Sequence, residues 1–249
     1  MSITSKHYKA EFKKEIYPKV GLIALSTDQT IEGDFKNICK NLPLGIFVNR
    51  IHNQNPLTKE NLQKMESDLQ SVTNKILPGE RLNAVAYGCT SGTIAIGENK
   101  IQKKILLSKP NCYVTNPITA TIKAFKLMNI KKIALFTPYP DDVNKTILDY
   151  FASRNIVVTS FASLNLNLDS EFANVDPNYI LELLSKIETK DAEALFISCT
   201  ALSVLNILNQ LESSIKKPVL SSNQTLIWDT IRSIGYKSPI KGYGKLLEK

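Results

Sequence analysis

Residues 82–93 read L-N-A-V-A-Y-G-C-T-S-G-T, and the rest of the chain is interpreted from this stretch. Its apolar run, Ala84–Tyr87, is typical of a buried parallel strand. Gly88 then relaxes the backbone for a sharp turn, and Cys89 follows it. A helix is predicted from Ile94 to Leu106. This order of strand, turn and helix places a cysteine at the carboxyl end of a strand, where parallel α/β sheets bind ligands.

A second copy of this pattern lies 110 positions later, in the sequence A-L-F-I-S-C-T-A. Here Ala194–Ser198 is the predicted strand and Cys199 follows it. A helix is predicted behind it, from about Ala201 to Ile215. The predicted first strands of the two halves are separated by nearly the same distance along the chain as the two cysteines, since Val20 and Ile133 are 113 positions apart. The chain therefore consists of two halves built on one plan.

Apolar runs alternate with helical segments along the whole chain, which predicts a parallel α/β fold. One long helix is predicted over Lys59–Ile76. The simplest arrangement is two pseudo-symmetric four-stranded parallel-sheet units with the active site in the cleft between them. We predict that residues 1–117 and 218–249 form the first unit and residues 118–217 the second. The predicted strands are 19–25, 44–49, 84–87, 112–115, 132–136, 156–161, 194–198 and 218–220.

Composition limits the class of protein. The 249 residues are 43% hydrophobic and 22% charged, a profile typical of soluble globular proteins. No apolar run approaches the roughly 20 residues that span a bilayer, and the N-terminus lacks the apolar stretch of a secretory signal. We therefore expect a cytoplasmic protein without a membrane partner. Four cysteines are too few for a disulfide scaffold, and the absence of C-x-x-C or H-x-x-x-H spacing predicts no metal site.

The formal net charge of +8 raises the question of nucleic-acid binding. Of the 31 basic residues only four are arginines, and the lysines are scattered without a basic stripe that interleaves aromatics. We therefore expect a solvated lysine-rich surface with a modest attraction for anionic substrates, and no nucleic-acid partner. The sequence leaves open whether the chain forms a homo-oligomer.

The two cysteines have the placement of reactive thiols. A helix N-terminus can lower a thiol pKa from ~8.5 to about 3.5–7.5, so thiolate is expected at neutral pH. Thr90 and Ser91 after the first cysteine, and Thr200 after the second, offer donors to a carboxylate or a developing enolate. Opposed thiols suit proton transfer on two faces of a carbon, and equally a sulfur addition to a double bond. The other cysteines, Cys39 and Cys112, are assigned to packing.

Five motifs can be compared with known families: K-V-G-L-I-A-L-S-T-D-Q-T-I-E, Y-G-C-T-S-G-T, F-T-P-Y, F-I-S-C-T-A-L and K-P-V-L-S-S-N-Q. Through these motifs the chain resembles the aspartate/glutamate racemase superfamily, in its maleate cis-trans isomerase and arylmalonate decarboxylase branch. Within that branch it is most similar to ectoine-utilisation racemase-like proteins. The resemblance implies catalysis without a cofactor, with Cys89 as the first thiol and Cys199 as the second. It also implies that Tyr139 binds a substrate carboxylate. Related decarboxylases keep only the second cysteine, so decarboxylation is less expected here.

One departure from maleate isomerases concerns the substrate. These enzymes carry a carboxylate-binding asparagine in the first loop, where this chain has Asp28, and Asp169 aligns with a second such asparagine. An anionic Asp28 would repel a second carboxylate and could pair with an ammonium group. Alternatively, Asp28 only caps the next helix. For Asn223 the same alternatives hold: a helix cap, or a substrate contact on the cleft floor beside Cys199.

Three hypotheses about function follow. The first is a two-cysteine racemase or isomerase acting on a small amino-acid-like or acylamino-acid carboxylate, such as an N-acetylated diaminobutyrate from ectoine breakdown. The second is maleate cis-trans isomerisation through addition of Cys89 to the double bond. The third is a small-molecule-binding protein without turnover. At the end of the second strand, Arg50 and His52 are expected to form a rim salt bridge rather than contact the substrate.

Overall fold

In the part of the chain that the structure describes, eight strands form two four-stranded sheets with parallel pairings throughout. The structure is a computed structural model that describes residues 5–12 and 17–249. The first sheet has the order β2-β1-β3-β4 and the second the order β6-β5-β7-β8, so the two halves share one topology. The predicted fold class is confirmed. The strands are β1 Lys19–Leu25, β2 Gly45–Ile51, β3 Ala84–Gly88, β4 Tyr113–Thr115, β5 Lys132–Thr137, β6 Val157–Ser163, β7 Ala194–Ile197 and β8 Val219–Ser221.

Helices follow most strands and pack on the sheets. The central strands β1, β3, β5 and β7 are almost fully buried, as expected for strands covered on both faces. The edge strands β2 and β6 are partly exposed. The helices are α1 Ile31–Cys39, α2 Lys59–Lys64, α3 Leu69–Asn74, α4 Thr90–Ile96, α5 Glu98–Ser108, α6 Pro117–Met128, α7 Asp141–Ser153, α8 Asp169–Ala173, α9 Pro177–Ser185, α10 Leu208–Ile215 and α11 Ser222–Ser233.

Three predicted helices differ from the structure. The helix predicted over Lys59–Ile76 is divided by a 3-10 turn, so that α2 packs on α4 and α3 on α5. The helix predicted from Ile94 begins earlier, at Thr90, and breaks at Gly97, whose φ of 98° belongs to the left-handed region. The helix predicted from Ala201 does not form there: a 3-10 turn begins at Leu205 and α10 only after it.

The predicted domain boundaries remain a prediction, with one difference at the return to the first unit. Strand β8 was placed with the first unit, but it is hydrogen-bonded to β7 in the second sheet. The helix that follows, α11, packs on α1, α6, β3 and β4. The crossing between units therefore lies at the junction of β8 and α11, around Ser221–Ser222. None of the helices in the described parts of the chain is long and apolar enough to cross a membrane.

Candidate active site

Cys89 lies at the start of α4, as predicted, and is its N-cap residue. Its Sγ accepts a hydrogen bond from the backbone N–H of Gly92 at 3.2 Å. The hydroxyl of Ser91 lies 3.8 Å from the same sulfur. Such donors stabilise a thiolate. The side chain is nevertheless only 2% exposed.

Cys199 occupies a different local structure from the one predicted. No helix begins directly after it, and the next element along the chain is a 3-10 turn from Leu205. Instead Cys199 has a φ of 123°, a strained conformation for a residue with a side chain. Its Sγ accepts a hydrogen bond from the N–H of Ala201 at 3.3 Å, and the residue is 4% exposed.

The predicted lowering of the thiol pKa values is wrong for this structure. Burial raises the pKa of Cys89 to about 12, and the hydrogen bond from Gly92 offsets only part of that rise. Burial likewise raises the pKa of Cys199, and the neighbouring charge of Asp169 raises it further. The charge of Asp28 acts in the same direction on both thiols. Both thiols are therefore protonated at neutral pH in this arrangement.

The two carboxyl oxygens of Asp28 have different surroundings. One accepts hydrogen bonds from the N–H groups of Thr30 at 2.8 Å and Ile31 at 2.9 Å, which fits the helix-cap interpretation. The other, Oδ2, is buried and has no well-formed hydrogen bond within the described residues, although the hydroxyl of Thr200 lies close enough to lower the pKa of Asp28. Burial raises the pKa of Asp28, and the charge of Asp169 raises it further. Asp28 therefore caps α1 through one carboxyl oxygen, while its other oxygen lacks a well-formed partner.

Asp169 is buried at the first residue of α8 and is tied to the first unit. Its Oδ2 accepts hydrogen bonds from Thr27 Oγ1 at 2.5 Å and from Asn53 Nδ2 at 2.8 Å. Burial raises its pKa, while these two donors lower it. One oxygen of this predicted substrate-binding residue is therefore occupied by protein groups.

Tyr139 is buried rather than exposed on its loop. Its ring packs edge-on against Phe172, with centroids 5.8 Å apart. The phenol lies close enough to Cys199 to lower the pKa of that thiol, yet its hydroxyl makes no well-formed hydrogen bond within the described parts of the chain. Burial raises the pKa of Tyr139 well above its usual value, so the group is a neutral donor.

The remaining predicted residues join the two cysteine loops to α11. Thr90 Oγ1 donates to Ser222 Oγ at 2.8 Å, and Thr200 Oγ1 donates to the carbonyl of Gly88 at 3.3 Å. Asn223 Nδ2 donates to the carbonyl of Thr200 and to Asp34 Oδ2, both at 2.8 Å. The Asn223 nitrogen is therefore used within the protein, and its buried Oδ1 is without a partner in the described residues.

Gly88 is needed for a different reason from the one predicted. Its φ is not in the left-handed region, and it is the last residue of β3. A Cβ at this position would lie 2.5 Å from Ile31 Cδ1 and 3.3 Å from the carbonyl of Ile23. Close packing of β3 against α1, rather than a sharp turn, thus favours glycine here.

The arylmalonate decarboxylase family model matches residues 104–247, more than half of the chain. The chain belongs to the arylmalonate decarboxylase family. The predicted superfamily branch is confirmed, whereas no comparison bears on ectoine.

This family member is similar along most of its length to proteins with known names. It is 24% identical over 243 residues to the maleate isomerase of Geobacillus stearothermophilus, with 92% of this chain and 96% of that protein aligned. The maleate isomerase Iso of Pseudomonas putida S16, in a mutant solved with maleate, has the same fold, with a TM-score of 0.86, 20% identity and coverage of 94% and 98%. A mutant of Nocardia farcinica maleate cis-trans isomerase that carries a covalently bound succinylcysteine intermediate also has this fold. Its TM-score is 0.86 at 16% identity, with 93% of this chain and 98% of that chain covered. These relatives support the predicted assignment as an isomerase.

The prediction missed two buried polar residues of this family member's site. Asn53 follows the end of β2, and its position at a carboxyl strand end was an available signal. Asp34 lies in α1 on the same helix face as Ile31 and Ile38, so a carboxylate on an apolar stripe could have been noticed. Burial raises the pKa of Asp34 to about 7. Both residues contact predicted site residues, namely Asp169 and Asn223.

Arg50 holds the first loop in place. Its guanidinium donates to the carbonyl of Asp28 at 2.8 Å and to that of Leu25 at 3.1 Å, and it forms an ion pair with Glu32 at 2.5 Å. The expected rim salt bridge is therefore present. The side chain of His52 is exposed to solvent and takes no part in it.

Proposed function

We propose that the protein is a cofactor-independent isomerase that uses Cys89 and Cys199 to racemise a small amino-acid-like or acylamino-acid carboxylate. The buried, unpaired Oδ2 of Asp28 is the observation that carries the proposal. Burial raises the pKa of Asp28, and an ammonium group or an amide N–H of a substrate placed at this oxygen would favour the ionised carboxylate. Maleate offers neither group.

The reaction proceeds by proton transfer between two sulfurs and one carbon. Both thiols are neutral in the substrate-free protein, so one of them must first release its proton to solvent as the substrate binds. The resulting thiolate removes the proton from the α-carbon and becomes a thiol, while the other thiol gives its proton to the opposite face and becomes a thiolate. Tyr139 and Ser91 offer hydroxyl donors to the carboxylate as it takes up the charge of the carbanion, whereas the hydroxyl hydrogen of Thr90 is already donated to Ser222. A substrate ammonium beside Asp28 would offset the negative charge that disfavours thiolate formation, so binding and activation of the thiols are coupled.

Incubation in deuterium oxide separates the candidate reactions. Single enantiomers of amino acids and acylamino acids, N-acetylated diaminobutyrates among them, are followed by NMR and polarimetry. Racemisation predicts loss of optical rotation together with incorporation of deuterium at the α-carbon. Cys89→Ala and Cys199→Ala should each abolish it. Cys112→Ala, which changes another buried cysteine outside the site, is the matched control and should retain it.

Maleate isomerisation is the second candidate, because a maleate isomerase aligns with nearly the whole chain. In this reaction the sulfur of Cys89 adds to one carbon of the double bond, Cys199 protonates the other, and rotation followed by reversal of both steps yields fumarate. Formation of fumarate in the same panel, without racemisation of any amino acid, would replace the first proposal by this one. Saturable thermal stabilisation by a ligand without exchange or fumarate would instead indicate a binding protein.

A further inference from the structure

Ser222 stands between the two cysteine loops and is fully buried. It is the first residue of α11, directly after β8. Its Oγ accepts a hydrogen bond from the hydroxyl of Thr90 at 2.8 Å and another from the backbone N–H of Cys199 at 3.0 Å. A serine hydroxyl has two acceptor lone pairs, so this single oxygen is filled by one donor from each loop.

Cys199, whose backbone N–H donates to Ser222, is also the residue with the strained backbone conformation. A φ of 123° persists in a residue with a side chain only where surrounding contacts impose it. The hydrogen bond to Ser222 is such a contact, and the bond from Ala201 N–H to Cys199 Sγ depends on the same backbone conformation. Release of the Cys199 N–H would let the backbone relax and withdraw the Ala201 N–H from the sulfur.

We infer that Ser222 is a positioning residue that holds Cys199 in its strained conformation and fixes it relative to the loop of Cys89. Ser222 acts through Cys199 and Thr90 and needs no contact with the substrate. The inference uses the proposed function only in treating Cys199 as a reacting group.

A substrate-free test follows the alkylation of each cysteine by iodoacetamide at pH 9, read out by mass spectrometry. Loss of the Ala201 donor raises the pKa of Cys199 and lowers its thiolate fraction. Ser222→Ala should therefore slow labelling of Cys199 at least about threefold relative to labelling of Cys89, whose sulfur is held within its own helix. Ser222→Thr, which keeps the hydroxyl, should leave the ratio of the Cys199 labelling rate to the Cys89 labelling rate at its wild-type value.

Ser221→Ala is the matched control. Ser221 is the buried N-cap of α11, and its Oγ accepts from Gln224 N–H at 3.2 Å, within its own helix. This variant should lower the melting temperature and leave the labelling ratio unchanged. If Ser222→Ala does not fold, Ser222→Cys supplies a poorer acceptor in nearly the same volume and is measured in the same way. A folded Ser222→Ala or Ser222→Cys variant with an unchanged or increased ratio would overturn the inference.

Turnover supplies a second readout. With whichever substrate the deuterium panel identifies, Ser222→Ala should lower kcat about tenfold or more and change KM less than about twofold, because Ser222 positions a reacting group. A raised KM with unchanged kcat would overturn the positioning role. If the panel identifies no substrate, the proposed function fails, whereas the labelling ratio still decides the role of Ser222.

Discussion

Asn53 donates a hydrogen bond of 2.8 Å to Asp169, although 116 positions separate the two residues. The same carboxylate oxygen accepts from Thr27. A backbone hydrogen bond from Leu57 to Asn167, 3.1 Å long, joins the same two loops. The loops after β2 and β6 are therefore tied together across the two units, on the side of the sheets where both cysteines lie.

Replacement of Asn53 by alanine should loosen this connection. We expect Asn53→Ala to raise KM several-fold, because Asp169 and its loop lose a fixed position, and to cost about 1–3 kcal/mol of unfolding free energy, since a buried partner is left with fewer donors. Steady-state kinetics and urea denaturation measure the two effects. Asn61→Ala, in the first turn of α2, is a control that should change neither by much, because the side chain of Asn61 donates to the carbonyl of Pro56 and not to Asp169.

Asp28→Asn tests the proposed ammonium site without removal of the cap. The amide oxygen can still accept from Thr30 and Ile31, so α1 keeps its N-terminal hydrogen bonds. We expect the KM of an amine-bearing substrate to rise about tenfold or more, because the charge that pairs with it is gone. Unchanged affinity for such a substrate would leave Asp28 with the role of a cap alone.

The same variant should also change the thiols. The charge of Asp28 contributes to the raised pKa values of Cys89 and Cys199, so its removal lowers both. Labelling of the two cysteines by iodoacetamide at pH 9 should become faster in Asp28→Asn. Asp191→Asn, at an exposed position, should leave the labelling rates as they are in the wild type.

Gly92→Ala should displace the first thiol. A Cβ at position 92 would lie 2.8 Å from Cys89 Sγ, and equally close to Met65 Cε and Tyr87 Oη. We expect a cost of about 1–3 kcal/mol in unfolding free energy from overpacking, together with loss of most activity. Gly33→Ala is the matched control, because nothing lies within 4 Å of its added Cβ, and it should be neutral or stabilising. A Gly92→Ala enzyme with full activity would contradict the described position of the Cys89 sulfur.

Asp34 predicts a pH dependence of stability. Burial raises its pKa to about 7 in the folded protein, whereas an unfolded aspartate titrates near about 4. The folded state therefore binds more protons between these values, and the contribution of this group to the free energy of unfolding is lost as pH rises from about 4 through 7. Urea denaturation at pH 5.5 and pH 8 measures it.

Asp34→Asn should remove this part of the pH dependence. The amide can still accept from Asn223, and we expect the stability difference between the two pH values to shrink by on the order of 1–4 kcal/mol. The exposed Asp191→Asn variant should preserve the wild-type difference. A full difference that persists in Asp34→Asn would assign the titration to another group.

Much of the fold could be predicted from short-range patterns. The apolar runs before Gly88 and before Cys199 marked two buried strands, and their repeat marked the two sheets. A cysteine at the carboxyl end of each strand followed from sequence position alone. The salt bridge of Arg50 was also predictable from sequence position, because a residue near the end of β2 lies close to the loop that follows β1.

The errors concern properties that distant residues impose. The residues after Cys199 are compatible with a helix, but Cys199 adopts a positive φ and bonds to Ser222, so α10 starts only at Leu208. Residues 218–249 were predicted in the first unit, whereas β8 is hydrogen-bonded to β7 in the second sheet, because an apolar run does not specify its partner. The thiol pKa values were expected to fall because local position supplies the helix N-terminus, whereas burial is the larger effect.

The sequence by itself determined the repeat of strand and cysteine, the parallel α/β class and the family of the chain. These properties depend on periodicity and on residue identity at fixed spacing. Only the tertiary structure decided the state of the site: the neutral thiols, the unpaired oxygen of Asp28 and the single hydroxyl of Ser222 between both loops. These depend on desolvation and on donors brought from remote parts of the chain. Such effects exist only once the two halves pack together.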